Sequence, residues 1–140
     1  MINRPDEKPV VLCVDDDPLV LRSLERLLRD EPVDVLTTLH PEIALRWVED
    51  HDVRVLMTDQ RMPGMSGTRL IEEVSCRSPS TACVILTAYP LDTAVLPDFL
   101  QGTFGLIAKP WDGPMLRSMV RQMLREGEIQ DREDRRTSGE

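Results

Sequence analysis

Four places in this 140-residue chain set charged or hydroxyl side chains at the end of an apolar run: Asp15, Asp16 and Asp17 after 10–14, Asp59 after 53–58, Thr87 closing 82–87, and Lys109 with Pro110 after 104–108. Singly, an aspartate behind an apolar run reads as a turn or cap residue. Gathered at one rim they demand more, because carboxylates about 4 Å apart repel by roughly 4 kcal/mol at an effective dielectric near 20. A divalent cation would offset that repulsion. With oxygen donors and neither His nor Cys in the set, the expected ion is hard. Mg²⁺ keeps several waters and takes one or two carboxylates, so it suits a shallow rim better than Ca²⁺. A lysine ammonium and a threonine hydroxyl opposite that ion are what a phosphoryl group needs: positive charge on its outer oxygens and a donor within reach. These residue types predict a phosphate site assisted by Mg²⁺.

Such remote residues meet only if the runs that carry them are parallel strands of one sheet, whose ligands bind outside the strands' carboxyl ends. Five runs qualify, at 10–14, 33–37, 53–58, 82–87 and 104–108. They are short and nearly all apolar rather than alternating, which predicts strands covered on both faces in an α/β architecture wound by right-handed crossovers. Between them lie helical patterns. Residues 18–30 put Leu21, Leu24 and Leu28 on one face, with Asp17 as N-cap and Pro18 as the first helical residue. Helices are also expected at 41–50, at 67–76 behind Ser66 as cap, and at 112–126, where Met115, Leu116, Met119, Val120, Met123 and Leu124 make a wide stripe for core packing or a partner. A further helix at 90–101 is expected to be short, kinked or late to start, because Pro97 falls inside it. From Gly127 onward one apolar side chain remains in fourteen residues, so 127–140 reads as a charged tail or linker stub, or else as an extension of the last helix carried by i,i+4 charge pairs.

Composition narrows the function classes. One domain is expected at this length, with 41% hydrophobic and 30% charged residues. Seventeen Lys+Arg against twenty-five Asp+Glu leave a formal charge of −8, which argues against direct nucleic-acid binding and against anionic lipid. The longest uncharged run, 78–91, is too short to span a membrane, and the amino terminus lacks the apolar core of a secretory signal. A cytoplasmic protein without disulfides is the expectation. Cys13, Cys76 and Cys83 contain no C-x-x-C and read as small buried hydrophobes. His40 and His51 read as exposed turn residues; Trp47 is expected to pack under the second helix and Trp111 to anchor the start of the last one.

The ordered motifs Val-Asp-Asp-Asp-Pro at 14–18, Thr-Asp-Gln-Arg-Met-Pro-Gly-Met-Ser-Gly at 58–67, Thr87-Ala88 and Ala-Lys-Pro-Trp at 108–111 resemble the receiver domain of two-component response regulators. The likeness spans 9–126, with 1–8 left as an N-terminal arm. It implies a flavodoxin-like, doubly wound, five-stranded parallel sheet of order 2-1-3-4-5 with five helices. It further implies that Asp59 accepts a phosphoryl group from a sensor histidine kinase, making the chain a switch rather than a turnover enzyme. By the same resemblance Asp16 binds Mg²⁺ directly and Asp15 mainly through water, with Asp59 and the backbone carbonyl of Arg61 completing the ligands. Thr87 donates to the phosphoryl oxygen, and Lys109 pairs with Asp59 and then with the phosphate. Residues 62–67 form a tight loop behind the acceptor, and the Lys109-Pro110 bond is commonly cis. Partners implied are the kinase, a homodimer through the fourth helix, fifth strand and fifth helix, and a covalently linked output domain beyond these residues. The 59–67 stretch with Lys-Pro-Trp-Asp is similar to receivers of hydrogenase-type transcription regulators and of cyclic-di-GMP phosphodiesterases.

The sequence departs from the family at position 106. Three residues before the lysine the family carries an aromatic that turns inward on phosphorylation; here the residue is Leu106, and Phe104, on the same strand face by period two, either substitutes or packs. Arg61 and Tyr89 hold positions that flank the phosphate in the family, and two bulky side chains there imply slow self-dephosphorylation. Two other classes compete. An aspartyl phosphatase would carry a general-acid Asp two residues after the nucleophile, where this chain has Arg61. A receiver that has lost phosphorylation and serves only as a binding surface is the remaining alternative.

Overall fold

The computed structural model describes residues 8–88 and 104–138. Five parallel strands, β1 (Val10–Val14), β2 (Asp34–Thr38), β3 (Val53–Thr58), β4 (Ala82–Thr87) and β5 (Phe104–Ala108), form one sheet in the order β2-β1-β3-β4-β5. The expected order is therefore observed. β2 begins one residue later than the apolar pattern predicts, because the Asp34 amide already donates to the Pro9 carbonyl at 3.0 Å and opens the ladder there.

Each strand faces two cores, which is why its sequence does not alternate. Val10, Leu12 and Val14 of β1 pack with Leu56 and Ile85 against α2 (Pro41–Asp50) and α3 (Gly67–Arg77). Val11 and Cys13, one step out of phase, pack with Val55, Met57 and Val84 against α1 (Pro18–Leu28) and α4 (Gly113–Ser138). Fully burying a Leu or Val side chain is worth about 1.5–3 kcal/mol, so both layers hold the sheet. Trp47 and Trp111 are half-buried against opposite cores, as expected of packing residues.

The helix starts follow local chemistry. The Asp17 side chain accepts from the Leu19 amide at 2.9 Å with Pro18 in the first turn, and the Ser66 hydroxyl accepts from Arg69 N at 3.2 Å. Asp112 lies just outside α4 and accepts from the Met115 amide at 3.0 Å, so the last helix starts at Gly113. It does not stop at 126: residues 127–138 continue it, the second of the two readings of that stretch. Among the described residues there are four helices rather than five, and the segment expected to supply another, 90–101 with Pro97, lies outside them, as does Tyr89.

The cysteine reading needs one correction. Cys13 and Cys83 are buried, but Cys76 is exposed. Leu70, Ile71 and Val74 occupy the inner stripe of α3, and two residues past Val74 the helix has turned Cys76 to the outside. His40 and His51 are exposed, as expected.

Candidate functional site

The carboxyl ends of β1, β3 and β5 converge on one acidic cluster. Carboxylate oxygens of Asp15, Asp16 and Asp59 all lie within 4.8 Å of one another. Adjacent strands explain the convergence: β1 pairs with β3 so that Val14 stands beside Thr58, and the Asp59 amide donates to the Val14 carbonyl at 3.1 Å. Asp15 is 2% exposed, whereas Asp16 is exposed to solvent and Asp59 lies between. The Lys109 ammonium bridges the group, 2.8 Å from Asp15 Oδ2 and 3.6 Å from Asp59 Oδ2.

Asp15 bears the strain of the arrangement. Burial pushes its carboxyl above the ordinary aspartate range, opposed by the hydrogen bond from Lys109 and by the Asp17 amide, which donates to Asp15 Oδ1 at 2.9 Å. Lys109 is itself placed by backbone: its amide donates to the Thr87 carbonyl at 2.9 Å, and the Lys109-Pro110 peptide is cis. Thr87, 4% exposed at the end of β4, therefore joins the same rim, beside Ala108 of β5. Arg61 sits exposed two residues beyond Asp59. Asp17 caps α1 instead of completing the cluster.

Behind Asp59 the chain must turn tightly back onto α3. Gly64 has φ +84°, a conformation that favours glycine. Gly67 is needed for space, since a Cβ there would lie 2.3 Å from the Asp59 carbonyl oxygen. The residues that sequence reasoning passed over are Gln60 and Thr68. Gln60 N donates to Asp59 Oδ1 at 2.8 Å, and its side-chain oxygen accepts from Thr68 N at 2.9 Å. Eight positions separate that pair, and no periodicity of strand or helix marks it.

Three convergent carboxylates without His or Cys form a donor set that could hold a hard cation, and an exposed Asp16 beside a buried Asp15 leaves a face open to water. With the Lys109 ammonium against Asp15 and Asp59, such a rim is suited to a dianionic oxygen-rich group.

Comparison with known proteins decides the family. The model of the response regulator receiver domain matches residues 11–121. The chain belongs to that family. Among proteins similar to this receiver, the hydrogenase transcriptional regulatory protein HoxA of Cupriavidus necator is 32% identical over 120 residues, covering 85% of this chain and 25% of that protein. The DNA-binding transcriptional regulator NtrC of Escherichia coli is 31% identical over 106 residues, covering 76% of this chain and 23% of NtrC. The receiver thus spans about a quarter of the length of these relatives. A crystal structure of a CheY-like receiver domain protein from Methanospirillum hungatei matches the fold with a TM-score of 0.80 at 24% identity, covering 89% of this chain and 99% of that one. Receiver domains are the signalling domains of two-component systems, and this receiver carries the acidic cluster at the carboxyl edge of its sheet. No helix among its described residues is long and apolar enough to cross a membrane.

Proposed function

We propose that Asp59 accepts a phosphoryl group from the phosphohistidine of a sensor kinase in a Mg²⁺-dependent reaction, and that the resulting acyl phosphate changes the receiver's contacts downstream. The observation that carries this reading is the meeting of Asp15, Asp16 and Asp59 within 4.8 Å of one another, with the Lys109 ammonium against Asp15 and Asp59. An Asp59 carboxylate oxygen would attack phosphorus in line while the P–N bond breaks and its electron pair returns to the imidazole. Asp59 is a weak nucleophile, so orientation and charge compensation supply most of the rate. Orientation comes from the Gln60 amide on Asp59 Oδ1. Lys109 is already within reach of Oδ2 and would follow the charge onto the phosphoryl oxygens, with the Thr87 hydroxyl as further donor. Asp15, Asp16, Asp59 and the Arg61 carbonyl would hold Mg²⁺, which when bound supplies the positive charge that offsets the incoming oxygens.

We further assign 9–126 to the receiver, with 1–8 an arm and 127–140 a charged tail or linker stub toward an output domain, helical through Ser138, in keeping with the span of about a quarter of HoxA and NtrC. A homodimer would use β5 and α4; the further helix that the family resemblance adds to this face falls at 90–101, outside the described residues.

The test is incubation of the chain with Mg²⁺ and acetyl phosphate, followed by intact-mass measurement. Wild-type protein should gain one phosphoryl group and lose it on mild alkaline treatment, and Asp59→Asn should gain none. Equal labelling of both would remove Asp59 from the role; no labelling of either, with no beryllofluoride binding, would leave the binding-only receiver.

A further inference from the structure

The Thr58 hydroxyl donates to the Asp59 carbonyl at 2.9 Å, and the Gln60 side chain ties the turn behind the acceptor to the first turn of α3. Gln60 uses its backbone twice: its amide donates to Asp59 Oδ1 at 2.8 Å, and its carbonyl accepts from Gly67 N at 2.9 Å. Its carboxamide then reaches eight residues ahead. Oε1 accepts from Thr68 N at 2.9 Å and Nε2 donates to Thr68 Oγ1 at 3.3 Å, while Thr68 Oγ1 is also 3.2 Å from the Ser66 hydroxyl.

A helix leaves its first amides without partners inside the helix. In α3, Gly67 N and Thr68 N are both satisfied by Gln60, and Arg69 N by Ser66. Gln60 is thus a cap delivered from outside the helix, and it adjoins both Asp59 and Arg61, the two residues of this turn read above as cation ligands. The missing Cβ of Gly67 brings α3 against the Asp59 carbonyl, so the turn has no slack on that side.

We propose that the Gln60 side chain is a positioning residue, locking the 59–61 backbone to the first turn of α3 so that the Asp59 carboxylate and the Arg61 carbonyl stand ready for a divalent cation. This rests on the reading of Asp59 and Arg61 as ligands in the proposed phosphotransfer. Without the carboxamide the Arg61 peptide gains rotational freedom, and binding must first remove it.

Groups that orient metal ligands typically alter affinity by about tenfold or more when removed. Titration calorimetry of the full chain with MgCl₂ reads this directly. Gln60→Met, which keeps the length and loses both hydrogen bonds, should raise the Mg²⁺ dissociation constant about tenfold. Its acetyl phosphate labelling rate should return to near the wild-type value once Mg²⁺ saturates, a split that general loosening of the fold would not produce. Thr68→Val, which keeps the amide and loses the hydroxyl, should give a smaller rise in the same direction, and it carries the test if Gln60→Met does not fold. Wild-type binding with unchanged affinity in the folded variants overturns the inference alone, as does a rate loss that saturating Mg²⁺ leaves in place. Wild-type protein that binds no Mg²⁺ overturns the reading of the site and the inference with it.

Discussion

Asp15 shows most directly how single residues are held in tension at this rim. Its carboxyl is raised above the ordinary aspartate value of 3.8 chiefly by burial, despite the 2.8 Å bond from Lys109. Because its folded value lies above its unfolded one, the folded chain binds more protons in the interval between them. Stability is therefore lost as pH rises through that interval and stays lost above it. In a chelator, Asp15→Asn should be more stable than wild type at neutral pH, with the difference shrinking as pH falls toward 3.8. Urea denaturation across that range checks it; a variant less stable at neutral pH would mean that the Lys109 bond outweighs desolvation. Two cysteines show the same effect of burial. Cys13 and Cys83 are pushed up to about 12, so neither is a thiolate at neutral pH.

Among the elements, the start of α3 is the most constrained. A Cβ on Gly67 would meet backbone at 2.3 Å, not a movable side chain, so Gly67→Ala should cost about 1–3 kcal/mol of unfolding free energy by displacing the Asp59 turn. It should also slow acetyl phosphate labelling, whereas Gly113→Ala, with only the Leu27 side chain at 3.4 Å, should leave both nearly unchanged. Apolar runs foretold all five strands because burial on both faces is written into composition, and capping residues foretold where α1 and α3 begin. Asp15, Asp16, Asp59, Thr87 and Lys109 were readable as strand-end residues for the same reason. The Gln60 to Thr68 bond was not, since it depends on a loop path that neither periodicity specifies. Nor was the helical run past Gly127, where sparse apolar content pointed first to a tail and the structure continues the helix to Ser138. Phe104 packs against the core shared with α2 and α3, while Leu106 is 46% exposed, in line with a packing role for the aromatic.

At the scale of the molecule, a formal charge of −8 draws cations generally, whereas the proposed phosphotransfer needs one held specifically at the clustered rim. Mg²⁺ at about one hundred times its dissociation constant should add about 2.7 kcal/mol to the unfolding free energy. Denaturation with and without MgCl₂ measures that gain, and Asp16→Asn should reduce it; an equal gain in the variant would assign the effect to the general field. Distant parts are joined on the other side of the sheet as well. Arg121 of α4 holds Glu31 by two hydrogen bonds, one of 2.8 Å, and keeps that carboxyl below its ordinary range. Arg117 donates to the Leu27 carbonyl at 3.3 Å, so α4 is fastened to the far end of α1.

That helix begins four residues after Lys109, and Gly127 comes beside Arg54 at the opposite end of the sheet. At 1.5 Å per residue its 26 residues make a rod about 39 Å long, roughly twice the length of a strand. A tilt of about 10° at the end nearest Lys109 would sweep the tip of a straight rod of that length through about 7 Å. If Asp59 is the acceptor proposed above, a displacement too small to notice around one aspartate would thereby be magnified at Ser138.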